Sequence, residues 1–142
     1  MAQSYAHLLE RRDDLPRPHA SFLSEALPRL QADQRLIAVA AGGSFLTGDM
    51  DEYSDLDLVI VVEPAALPQV MQERKQIAAT LGNLLMAFTG EHVNEPRLLI
   101  CLYGPPLLHV DLKFISLPDA ATRVENPIIL WEREGKLASM LQ

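Results

Sequence analysis

Leu36-Ile37-Ala38-Val39-Ala40-Ala41-Gly42-Gly43-Ser44 is followed, after ten residues, by Asp55-Leu56-Asp57-Leu58-Val59-Ile60-Val61-Val62. How this pair of segments is read decides the fold. Leu36 to Ala41 is apolar at every position, which predicts a short strand buried on both faces. Gly42-Gly43 breaks it, because glycine lets the backbone turn through positive φ. The second segment predicts a strand over Leu56–Val62, ended by Glu63-Pro64. Side chains two apart in a strand point to one face, so Asp55 and Asp57 are expected to project together. Leu58 to Val62 would hold that pair rigidly at the sheet edge. A later apolar run, Leu107-Leu108-His109-Val110-Asp111-Leu112-Lys113-Phe114-Ile115, contains a third carboxylate, Asp111. A charge among such neighbours is costly unless it has a partner.

Outward from these strands, the pattern predicts a mixed α/β domain of the α+β kind, with helices packed on one sheet. Residues 4–14 read as a short helix with Ser4 as N-cap, interrupted by Pro16 and Pro18. A second helix carries Phe22, Leu23, Ala26, Leu27 and Leu30 on one face, and Pro28 is expected to kink or restart it. Ser44 to Thr47 reads as one helical turn and Gly48 to Tyr53 as an acidic loop. Leu67 to Leu81 is an amphipathic helix closed by Gly82-Asn83. Leu84 to Phe88 is a strand. Leu98 to Tyr103 and Leu107 to Ile115 form a hairpin around Gly104-Pro105-Pro106. Ile128 to Trp131 is a last strand, and Lys136 to Gln142 starts a helix. The 142 residues are expected to form one domain: a helical segment over about 1–33, a core over about 35–115, and a C-terminal strand and helix over about 127–142.

Composition narrows the function classes. The net charge is −7, and no Lys/Arg cluster exists beyond Arg11-Arg12. Stable nucleic-acid binding draws on basic surface, so none is expected. No apolar stretch is long enough to span a bilayer, and Met1 to Asp14 is too polar for a signal peptide. A single cysteine, Cys101, excludes an internal disulfide and fits the cytoplasm. It alternates with Ile100 and Leu102, so it reads as a buried thiol. No Cys/His pattern suggests structural zinc. Trp131 reads as core or interface, and His7 and His19 as surface. Asp49, Asp51 and Glu52 read as loop solvation. Glu91 and His92 either line an acceptor pocket or complete a loop.

The remaining residues carry a chemistry. Two carboxylates on one strand face suit magnesium, which prefers oxygen and is held by carboxylates together with substrate phosphates. Asp111 would join Asp55 and Asp57 around that ion. Without metal the three should repel, and at least one should hold a proton more readily. Backbone amides of Gly42, Gly43 and Ser44, with the Ser44 hydroxyl, would receive the phosphates. An acceptor hydroxyl would attack the α-phosphate and pyrophosphate would leave, with two ions stabilising the entering and leaving oxygens. Asp111 would hold the ion nearest the acceptor or take the hydroxyl proton. His109 and Lys113 share its strand face and could touch phosphate or acceptor.

Ala41-Gly42-Gly43-Ser44, Ser54-Asp55-Leu56-Asp57-Leu58 and Val110-Asp111-Leu112 together resemble the DNA polymerase β-like nucleotidyltransferase superfamily over roughly residues 35 to 115. Within it the chain looks like the bacterial stand-alone enzymes related to aminoglycoside and lincosamide adenylyltransferases. Asn126 to Gly135 is more loosely similar to that group. The resemblance implies the polymerase β-like fold. It implies Gly42, Gly43 and Ser44 as the nucleotide loop, and Asp55, Asp57 and Asp111 as catalytic metal ligands for Mg2+, two ions in the full arrangement. It implies ATP or another nucleoside triphosphate as donor and a small-molecule hydroxyl as acceptor. Phe45-Leu46-Thr47 lacks the arginine that minimal antitoxin-type members carry there. Antibiotic adenylyltransferases add helices after the catalytic domain, whereas only residues 112–142 follow Asp111 here. The expectation is therefore either a homodimer that completes the pocket or the catalytic part of a longer protein. The alternative function is a nucleotide-binding regulatory or antitoxin-like module acting through a protein partner. Presence of all three carboxylates favours catalysis.

Overall fold

The computed structural model describes residues 15–42, 50–51, 53–91, 94–121 and 127–141. Helix α1 spans Arg17–Gln31 and strand β1 Leu36–Ala41. Strand β2 spans Leu56–Val62, a 3₁₀ turn Pro64–Ala66, and helix α2 Leu67–Thr80. Strands β3 Leu84–Thr89, β4 Leu98–Tyr103 and β5 Leu108–Ser116 follow. A second 3₁₀ turn, Leu117–Ala121, leads to β6 Ile128–Glu132 and helix α3 Lys136–Leu141. The helix expected over 4–14 and the turn expected over 44–47 lie outside the described residues.

The six strands form one sheet in the order β3-β4-β5-β2-β1-β6. Every neighbouring pair is antiparallel except β2 and β5, which run parallel. This is a mixed sheet of the α+β class. The central position of β2 explains its nearly unbroken apolar sequence, since both its faces need cover. It also corrects the expectation that the carboxylate pair stands at the sheet edge. The pair stands at the head of an interior strand, flanked by β1 and β5.

The two faces are covered unequally. On one, Phe22, Leu23, Ala26, Leu27 and Leu30 of α1 and Val70 and Ala78 of α2 pack on Leu56, Leu58, Ile60, Leu99, Val110, Leu112 and Phe114. On the other, a smaller cluster joins Ala120 and Leu137, with Leu117, Met140 and Leu141 packed beside them, to Ile37, Ala38, Ala40, Val61 and Ile115. The opening ends of β2 and β5 on that second face therefore carry half-buried polar residues: Asp57, His109, Asp111 and Lys113. Among the described residues no helix is long and apolar enough to cross a membrane.

Helix α1 runs through Pro28 instead of restarting there. Proline removes a single helical hydrogen bond, and here it lies on the exposed face between the buried Leu27 and Leu30. Burial of these leucines, on the order of 2 kcal/mol each, holds the turn together. His19 corrects another expectation: it is fully buried rather than on the surface. Arg133 ties the C-terminal strand to the N-terminal half. Its Nε donates to the Leu36 carbonyl (2.8 Å), and Nη2 donates to those of Gln31 (2.5 Å) and Asp33 (3.0 Å). Its guanidinium stands 4.7 Å from the centre of the buried Trp131 ring. The buried Glu132 accepts a hydrogen bond from the Ala138 amide (3.0 Å), which fixes α3 on the sheet.

Candidate active site

The chain approaches β2 through a built turn. Asp51 Oδ1 accepts from the Tyr53 amide (2.9 Å) and from the Ser54 hydroxyl (3.2 Å). The Ser54 hydroxyl oxygen in turn accepts from the Asp51 amide (3.0 Å). Asp51, expected as loop solvation, is thus a turn former, through the local side-chain bonding that aspartate favours. From α1, His19 Nε2 donates to the Ser54 carbonyl at 2.6 Å, directly before Asp55. Its Nδ1 is buried with no hydrogen-bond partner among the described residues. Sequence reasoning missed this residue. The available signal was its spacing: His19, Phe22, Leu23 and Ala26 share one helical face.

Parallel pairing of β2 with β5 sets Asp57 directly opposite Asp111. Burial first, and then the adjacent Asp111 carboxylate, which also hydrogen-bonds it, push the Asp57 carboxyl up to about 6. Asp55 adds to this from the same face, and His109 opposes it. His109, two residues before Asp111, lies between two carboxylates. Its Nδ1 is 3.1 Å from Asp55 Oδ1 and its Nε2 2.7 Å from Asp111 Oδ1. Ligand atoms of Asp55, His109 and Asp111 all lie within 4.8 Å of one another. The structure therefore brings Asp55, Asp57 and Asp111 together and adds His109 to the group.

This donor set fits a divalent cation. It offers carboxylate oxygens at the head of β2 and on β5, and the raised Asp57 carboxyl reflects burial and neighbouring negative charge that a cation would offset. The Gly42 amide donates to the Asp57 carbonyl at 3.0 Å, so β1 ends level with the carboxylates. Gly43, Ser44, Asp49, Glu52 and His92 lie outside the described residues.

Other candidates are not drawn into the cluster. Lys113 shares the face of Asp111 but pairs with Glu95 at 3.4 Å. Arg97, hydrogen-bonded to Glu95, brings that carboxyl down to about 2. Glu91 is exposed in the connection between β3 and β4. Cys101 is buried, its thiol pushed up to about 12 by burial, so it is no nucleophile.

A family model described as a nucleotidyltransferase domain matches residues 23–93, half of the chain. The match runs from α1 into the β3–β4 connection and takes in Gly42 to Ser44, Asp55 and Asp57, while Asp111 lies beyond it. Among curated proteins none matches the chain.

Proposed function

The chain belongs to the nucleotidyltransferase domain family, and on that premise we propose that it transfers a nucleoside monophosphate, AMP from ATP, to a hydroxyl of a small molecule. The observation that carries this reading is the meeting of Asp57 and Asp111 across the β2–β5 pairing, with Asp55 and His109 beside them. Asp55, Asp57 and Asp111 are the residues that would hold magnesium. When bound, the ion neutralises phosphate oxygens and stabilises the oxygens that enter and leave.

The protein's own groups do the rest. Amides of Gly42, Gly43 and Ser44, with the Ser44 hydroxyl, would receive the phosphates, and the hydrogen bond from Gly42 to Asp57 sets Gly42 beside the carboxylates. With a cation in the site the raised Asp57 carboxyl would come back down, since burial and a neighbouring negative charge raise it. Asp111 faces the same opening, where it holds the ion nearest the acceptor or takes the hydroxyl proton. The turn over Asp51 to Ser54, pinned by His19, sets the direction in which Asp55 points. The acidic chain disfavours a polynucleotide acceptor, which would meet a net charge of −7.

Calorimetric titration of ATP, GTP, CTP and UTP, with and without magnesium, tests this reading. Magnesium-dependent binding of one triphosphate, lost in Asp57→Asn, is the expected result. Equal binding by wild type and Asp57→Asn would overturn the assignment of the carboxylates.

A further inference from the structure

His109 has an arrangement that a carboxylate cluster does not require. It sits on β5, a rigid interior strand, with Leu102 opposite it on β4. Both of its ring nitrogens meet carboxylate oxygens, Asp55 Oδ1 at 3.1 Å and Asp111 Oδ1 at 2.7 Å. An imidazole nitrogen that carries no proton offers a lone pair to a cation, while the other ring nitrogen can still donate to a carboxylate. One ligand atom from each of Asp55, His109 and Asp111 lies within 4.8 Å of the other two, close enough for the three side chains to share one ion. The side chain is 36% exposed, so an ion can reach the ring from solvent.

We propose that His109 is a nitrogen ligand of this metal centre, and that it makes the centre prefer a first-row transition ion such as manganese(II) over magnesium. The inference rests on the proposed metal role of the carboxylates. One ring nitrogen ligates while the other keeps its hydrogen bond to the second carboxylate, which fixes the ring's orientation. Magnesium is hard and takes oxygen ligands. Replacing an oxygen ligand by imidazole favours the later divalent ions of the first row. Lys113, the next residue on this strand face, is engaged by Glu95 and so leaves the cluster to the histidine.

The test is manganese(II) binding to the full chain, with and without ATP, followed by electron paramagnetic resonance and competed with magnesium. Pulsed spectra on protein labelled with 15N-histidine separate an imidazole ligand from a nucleotide nitrogen. The expected result is a 15N-histidine coupling to manganese and at least tenfold tighter binding of manganese than of magnesium. In His109→Ala the coupling vanishes and the preference falls below about threefold. Bound manganese without histidine coupling, at a preference unchanged in His109→Ala, would overturn the ligand role and leave the carboxylate assignment standing. Absence of any binding of either ion, with ATP present, would overturn the carboxylate assignment itself and the inference with it. The wild-type spectrum decides the ligand question even if the variant folds poorly.

Discussion

At the scale of single residues, Asp57 shows the conflict between stability and binding most directly. Its carboxylate is partly buried and faces Asp111, so the charge that would hold an ion works against the metal-free fold. Asp57→Asn keeps the shape and removes the charge. The metal-free variant is expected to gain up to about 1 kcal/mol, the usual scale of a partly solvated charge contact, or a rise of roughly 3 °C in Tm. Thermal melts without metal, run beside nucleotide-binding assays, check both halves. A less stable variant would mean that the Asp57 carboxylate makes favourable contacts that outweigh repulsion. The Asp55–Asp57 pair is legible in the sequence because strand alternation alone gives its common face. The role of His109 as a bridge between Asp55 and Asp111 is not, because it depends on β5 lying beside β2.

At the scale of elements, two contacts join segments far apart in the chain. His19 holds the Ser54 carbonyl from α1. His19→Leu preserves apolar packing but removes the hydrogen bond to that part-buried carbonyl, at a cost of about 1 kcal/mol. Activity is expected to fall along with stability, since the turn sets Asp55. Urea unfolding and an activity assay on the same preparation measure the two effects, and full activity would show that the turn holds itself. Arg133→Ala removes the donor to the Leu36, Gln31 and Asp33 carbonyls and the cover over Trp131. A loss of about 3 kcal/mol is expected, because hydrogen bonds from a charged group are the stronger ones. A lower urea midpoint at an unchanged m-value is the signature. The helical spacing of His19 marks it as facing the core, but neither residue's role is legible in the sequence, since the partners are backbone carbonyls, which no motif marks.

At the scale of the whole molecule, titration of these groups shapes the stability of the metal-free protein. Glu95 is held at about 2 by its bond to Arg97, below its usual 4.5. Its contribution is present above pH 4.5 and is lost as the pH falls through about 2. Asp57 works the other way. Its carboxyl is raised from 3.8 to about 6, so the fold is favoured below pH 3.8 and loses that advantage as the pH rises through about 6. Together these two groups place the stability maximum near about pH 4, where the two windows overlap. Saturating metal and nucleotide should shift that maximum upward by neutralising the cluster. Denaturant melts from pH 3 to 8 test this, and in Asp57→Asn the decline between about pH 4 and 6 should flatten.

The order and type of the described strands, the helices over α1 and α2, and the common face of Asp55 and Asp57 were determined by the sequence itself. These features depend on periods of 2 and 3.6 residues, on breakers, and on contacts within a few positions. The helix through Pro28, the interior place of β2 and the burial of His19 were decided only by the tertiary structure. So was the meeting of Asp57 with Asp111, and of His109 with both Asp55 and Asp111. Each depends on which distant segment packs alongside, and burial free energy summed over many residues overrides the preference of any one of them.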